Sequence, residues 1–169
     1  MIFQPKNDGF ISDHRLMVSV AVITLMAAAA VFVGWRGEAL GRGLVTIGGS
    51  DRVSVEIAST DSAREKGLSG RDGLAPDSGM LFIFQQPAIY TFWMKDMRFP
   101  IDILWIRQGQ IVDMSVNAPV PVSGQAMSIY SPQSPADEVL ELPAGYAAAH
   151  GLRTGLPVAV RIDSGPAAR

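Results

Sequence analysis

Phe92 to Trp105 (FWMKDMRFPIDILW) gathers two tryptophans, two methionines, a Lys95-Asp96-x-Arg98 charge cluster and a lone acid, Asp102. Asp102 carries the most information, because its neighbours Ile101, Ile103, Leu104 and Trp105 are apolar. A buried carboxylate without partners is strongly destabilising. Asp102 must therefore face water, pair with Lys95, Arg98 or Arg71, or accept backbone hydrogen bonds. Three roles follow: holding a loop, contacting a ligand in a concave site, or acting as an acid or base. A second acid, Glu141, lies between Leu140 and Leu142. Two carboxylates roughly 5–10 Å apart can hydrolyse a glycoside, and several around one pocket can hold calcium. Neither a calcium-loop spacing nor a glycosidase pattern is present.

Tyr90, Phe92, Trp93 and Trp105 could form a stacking platform for a sugar or another flat ligand. A β core also needs large apolar residues at alternate positions, and that is the plainer role for Trp105. Trp93 stands beside charges at a strand end, so both roles are open to it. Met80, Met94, Met97, Met114 and Met127 offer soft thioethers of the kind that bind copper, but they are spaced as core positions of separate strands. No metal or cofactor is assigned. There is no GxSxG elbow, HExxH, phosphate loop or dinucleotide fingerprint. His150 ends an alanine-rich turn beside Gly151, where it can cap a helix. His14 is far off in the N-terminal tail, and the chain has no cysteine, which removes thiol catalysis, disulfides and thiolate zinc sites. A net charge of −2 argues against a nucleic-acid binder.

The elements that must position these residues are short. Val53 to Ile57 alternates apolar and polar residues, as a half-buried strand does. Ser59 to Gly67 combines Ser, Thr and Asp caps with a terminal glycine, predicting a helix of two turns at most. Further strands are expected at Gly79–Phe84, Tyr90–Met94, Ile101–Ile106, Ile111–Val116, Met127–Tyr130, Glu138–Leu142 and Val158–Ile162. Gly109 marks a hairpin between the strands on either side of it. Pro143 to Gly151 reads as one or two helical turns. About eight short strands and two short helices predict a mostly β domain, an antiparallel sandwich or squashed barrel.

Ahead of this body, Leu16 to Trp35 is a stretch of 20 residues without a charge or a proline. As a helix it is about 30 Å long, enough to cross a hydrocarbon core. The run is longer than a typical signal-peptide core and ends in Trp35, a residue suited to the membrane interface. It reads as a retained signal anchor. The small residues Ala27 to Ala30 leave the alternative of cleavage and secretion. Residues 1–15 then form a cytoplasmic tail and 36–50 a glycine-rich linker. Residues 51–162 are the extracytoplasmic (periplasmic-side) domain, and 163–169 are a frayed tail. Residues 51–169 carry 10 Lys+Arg against 13 Asp+Glu, a net of −3.

Gly67-Leu68-Ser69-Gly70-Arg71, Gly79 to Phe84, Phe92 to Met97, Pro100-Ile101-Asp102-Ile103 and Leu140 to Gly145 form an ordered series of motifs. The series resembles the domain of unknown function 192 family over about residues 53 to 162. The resemblance implies a small β-rich, often exported domain without an agreed activity. It places the family's signature on Arg71, Met80, Trp93, Met94, Lys95, Asp96, Asp102 and Glu141, which are the candidate ligand-binding residues. Lys95-Asp96-Met97 departs from the family's more usual Lys-Asn-Thr run. The expectation is a membrane-tethered extracytoplasmic binding or accessory domain for a small ligand or an envelope partner. The alternatives are a carboxylate hydrolase of envelope carbohydrate using Asp102 and Glu141, and a purely structural envelope module. No residue is assigned a catalytic role.

Overall fold

A computed structural model describes residues 40–124, 126 and 128–163. The expected anchor at 16–35, the tail at 1–15 and all but Asp163 of the tail at 163–169 lie outside the described residues. Among the described residues no helix is long and apolar enough to cross a membrane.

Nine strands and two short helices are seen among these residues: β1 (Gly41–Ile47), β2 (Asp51–Ala58), α1 (Asp61–Lys66), β3 (Ser78–Ala88), β4 (Phe92–Trp93), β5 (Ile101–Arg107), β6 (Gln110–Ala118), β7 (Ile129–Tyr130), β8 (Ala136–Pro143), α2 (Tyr146–Ala149) and β9 (Val158–Ile162). Seven strands make one sheet in the order β6-β5-β8-β3-β2-β1-β9, and β4 pairs with β7 in a small second sheet. The large sheet is not closed into a barrel. Its two edges meet at the start of β9, where Gln110 bridges Pro157 and the Val158 and Ile111 amides donate to the Gly109 and Leu156 carbonyls at 2.7 and 3.0 Å.

The mostly β expectation holds, with two corrections. The sheet is mixed rather than antiparallel, because β2 and β3 run parallel, with Glu56 opposite Met80. The connection between them contains α1, giving it the length that a parallel crossover requires. The second correction is β1, which occupies Gly41–Ile47 inside the stretch read as a linker. Its glycines hide the alternation, yet Val45 and Ile47 are fully buried. Gly43 is needed there, since a Cβ would stand 2.7 Å from the Arg161 carbonyl oxygen.

The sheet separates two cores. Val45, Val55, Leu81, Leu104, Leu140 and Leu142 face one side, where Tyr146 and Ala147 of α2 join them. Met80, Phe82, Ile103, Trp105 and Val139 face the other, where Leu68, Met94 and Met97 cover them. β5 and β8 therefore lie buried on both faces. This explains why Ile103 to Ile106 reads as a continuous apolar run rather than an alternating one.

The expected first helix forms as α1. Thr60 Oγ1 accepts the Ala63 amide at 3.3 Å, and Gly67 ends the helix with φ of 48°.

Candidate functional site

The eight candidate residues separate into three places. Asp102 stands alone in the first. It is fully buried and accepts hydrogen bonds from the backbone amides of Asn117 at 2.7 Å, Ala147 at 2.8 Å and Gly145 at 3.3 Å. None of Lys95, Arg98 and Arg71 pairs with it: Arg98 is bonded to Asp72 and Arg71 to Glu56. The carboxylate caps α2 from a distance and ties it to the ends of β5 and β6, which is the loop-holding role. In register, Asp102 faces Leu142 while Glu141 faces Ile103. Consecutive strand positions point to opposite faces, so Asp102 and Glu141 lie on opposite sides of the sheet. They do not form the two-carboxylate pair of a glycoside hydrolase.

The second place is the face under Leu68, Met94 and Met97. Here Glu56, Met80, Glu141 and Ile103 form one row across β2, β3, β8 and β5. With strands about 4.8 Å apart, the backbones of Glu56 and Glu141 are about 10 Å apart. Arg71 reaches into this row and holds Glu56 through two bonds of 2.5 and 2.9 Å. That contact draws the Glu56 carboxyl below its ordinary range and raises the Arg71 guanidinium. Glu141 behaves oppositely. It is 6% exposed, and burial pushes its pKa up to about 8, with Arg71 pulling the other way. Its Oε2 and the Nε1 of Trp105 are buried without a hydrogen-bond partner. Arg71, Met80, Met94 and Glu141 are thus brought to one face. Sequence reasoning missed Glu56; the alternation of Val53 to Ile57 placed it on a strand's polar face, but only the parallel register puts it beside Met80 and Arg71.

The third place is an open depression beside α1, lined by Ser62, Glu65, Lys66, Ser69, Trp93, Lys95 and Asp96. Trp93 is 55% exposed, and its cross-strand partner Ile129 is also exposed. The Lys95 ammonium stands 5.4 Å from the Trp93 ring centroid, within cation–π range. The loop that carries these groups is held down from both sides. Ser69 Oγ donates to the Lys95 carbonyl at 2.9 Å, and the Gly70 amide donates to the Asp96 carbonyl at 2.9 Å. Met94 and Met97, flanking Lys95 and Asp96, are anchored in the second core. Asp96 adopts φ of 56°, a left-handed conformation that Asp tolerates better than most residues.

A larger depression runs beside Phe84 and Tyr90. Its charged group is already engaged, since Arg64 donates to Asp61 and to the carbonyls of Ser59 and Ile83. Phe84 and Tyr90 are stacked on each other at 3.6 Å. A third depression exposes Glu56, Ser54, Ser78 and Arg42. His150 follows α2 as its C-terminal cap, stacked on Tyr146 and 3.0 Å from Asp51. Among the described residues no group of three His, Cys, Asp or Glu could hold a metal ion.

Comparison with known proteins places this arrangement in a family. Two solved structures share the fold. One, from Sinorhizobium meliloti 1021, is described as a candidate transcription regulator; it is 30% identical with a TM-score of 0.66, and the match covers 73% of this chain and 96% of that one. The other, from Novosphingobium aromaticivorans DSM 12444, is a protein of unknown function, 28% identical with a TM-score of 0.65, covering 73% of this chain and 89% of that one. No curated protein matches the chain. The family model that matches residues 43–160, described as an uncharacterized ACR, begins inside β1 and ends inside β9. The chain belongs to the domain of unknown function 192 family.

Proposed function

We propose that this protein is a membrane-tethered extracytoplasmic binding module, anchored through residues 16–35, whose ligand or partner docks on the depression beside Trp93. One observation carries this reading. A large aromatic side chain stays 55% exposed while the residues on either side of its loop are packed into the core. Exposed tryptophan gives up burial that a core would use, and here the loop that follows it is tied down by backbone hydrogen bonds and by Met94 and Met97. The uncharged 20-residue segment ahead of the body supports the tether. The net charge of −3 over residues 51–169 argues against nucleic acid as the partner. That holds also against the description of the Sinorhizobium protein.

The tether and its orientation can be tested through the absence of native cysteine. A single Arg153→Cys substitution supplies the sole thiol in the chain. Labelling by a membrane-impermeant maleimide in intact spheroplasts, with the protein retained in carbonate-washed membranes, is the expected result. Labelling only after lysis would contradict the orientation. Release of a labelled, shortened chain into the medium would instead establish cleavage after the apolar segment.

A further inference from the structure

The chemistry around Trp93 narrows the ligand. Lys66 and Lys95 stand against Glu65 and Asp96, so the depression carries two charges of each sign. A polyanion or an acidic lipid surface is recruited by an excess of Lys and Arg, which is lacking here. A small apolar ligand is held in an enclosed, mostly apolar cavity, whereas this depression is open to solvent and four of its lining residues are charged. What it offers is a half-exposed aromatic ring, with the Lys95 ammonium over one face and further hydrogen-bond donors and acceptors around it.

A pyranose ring has the complementary surface. Its C–H face packs on an aromatic plane, and its hydroxyls each donate and accept. Carboxylates accept from hydroxyls and ammonium groups donate to them, and bonds with one charged partner are the stronger kind. The loop is also fixed before any ligand arrives, by the bonds to Lys95 and Asp96 and by Met94 and Met97 in the core. Less ordering entropy then opposes binding. We infer that the depression beside Trp93 is a subsite for an uncharged carbohydrate chain. The inference rests on the reading of this depression as the binding site.

The test uses the full chain in detergent micelles, with chitin and cellulose as insoluble probes and their soluble oligosaccharides for titration. Retention on at least one glycan, insensitive to added salt, is expected. Trp93→Ala should weaken it about tenfold or more, and Trp93→Phe should restore part of it. An unchanged far-UV circular dichroism spectrum of Trp93→Ala confirms that the fold is intact. Absence of retention on both glycans, or a Trp93→Ala chain retained as well as the wild type, overturns the inference. The emission difference between wild type and Trp93→Phe separates this failure from failure of the underlying reading. If that difference is unmoved by the oligosaccharides but responds to a tryptic digest of envelope proteins, the site stands and the carbohydrate inference falls. If it responds to neither, both fall.

Discussion

The Asp102 carboxylate accepts the Ala147 amide at 2.8 Å across 45 residues of chain, while also holding the amides of Gly145 and Asn117. Asp102→Ala would leave three amides unpaired, one of them fully inside the protein. A cost of roughly 3–5 kcal/mol is expected. Asp102→Asn keeps the shape but turns a donor toward one of these amides, and should cost about half as much. Urea denaturation of the full chain in micelles checks both. A wild-type midpoint for Asp102→Ala would contradict the capping role.

Stability should fall as pH rises through the neutral range. Burial raises the Glu141 carboxyl to about 8 against an unfolded value near 4.5, so between those limits the folded state binds more protons than the unfolded one. The sign of the linkage then makes the stability greatest below the unfolded pKa and progressively smaller up to about pH 8. The slope for one proton is at most about 1.4 kcal/mol per pH unit. Glu138, also raised by burial, adds in the same direction. Glu141→Gln should flatten the profile of midpoint against pH from 5 to 8. A variant with the wild-type slope would remove Glu141 as its source.

Arg71 links the two carboxylates of that row. It lowers Glu56 directly and moderates the rise of Glu141. Both partners of the Arg71–Glu56 pair are about a third exposed, so solvent screening keeps the coupling modest, about 1 kcal/mol in a double-mutant cycle. Arg71→Ala should in addition move the Glu141 inflection to higher pH. An unmoved inflection would show that Arg71 does not act on Glu141.

Much of the sheet is legible in the sequence. Eight strands follow from alternation or from short apolar runs between Gly and Pro, and α1 follows from its capping residues. β1 escapes because Gly41 and Gly43 interrupt its pattern, although Val45 and Ile47 sit in the first core. The faces are legible only once register is known. Asp102 looks like an isolated acid in sequence because its partners are backbone amides, 15 residues away at Asn117 and 45 away at Ala147, and amides leave no mark on residue type. Glu56 is hidden for a related reason: a parallel pairing across a long connection brings it beside Met80. Trp93 differs from Trp105 in sequence by its charged neighbours, and this distinction does carry through to exposure.

Close packing of β3 on β8 gives a backbone test. A Cβ at Gly79 would lie 2.5 Å from the Glu141 carbonyl oxygen, which is main chain and cannot swing aside, whereas a Cβ at Gly73 meets nothing within 4 Å. Gly79→Ala should therefore cost about 2 kcal/mol or more, by analogy with overpacking in cores. Gly73→Ala should stay within about 0.5 kcal/mol. Equal denaturation midpoints for the two variants would contradict the register of β3 on β8.

The signature residues divide between holding the fold and presenting a surface, with Asp102 on one side and Trp93 on the other. Thermal denaturation of Asp102→Ala and Trp93→Ala, measured together in the full chain, separates the two roles. A drop of about 10 °C or more is expected for Asp102→Ala and a change of no more than about 2 °C for Trp93→Ala. A Trp93→Ala chain that melts as early as Asp102→Ala would show that Trp93 serves the fold and would remove the division.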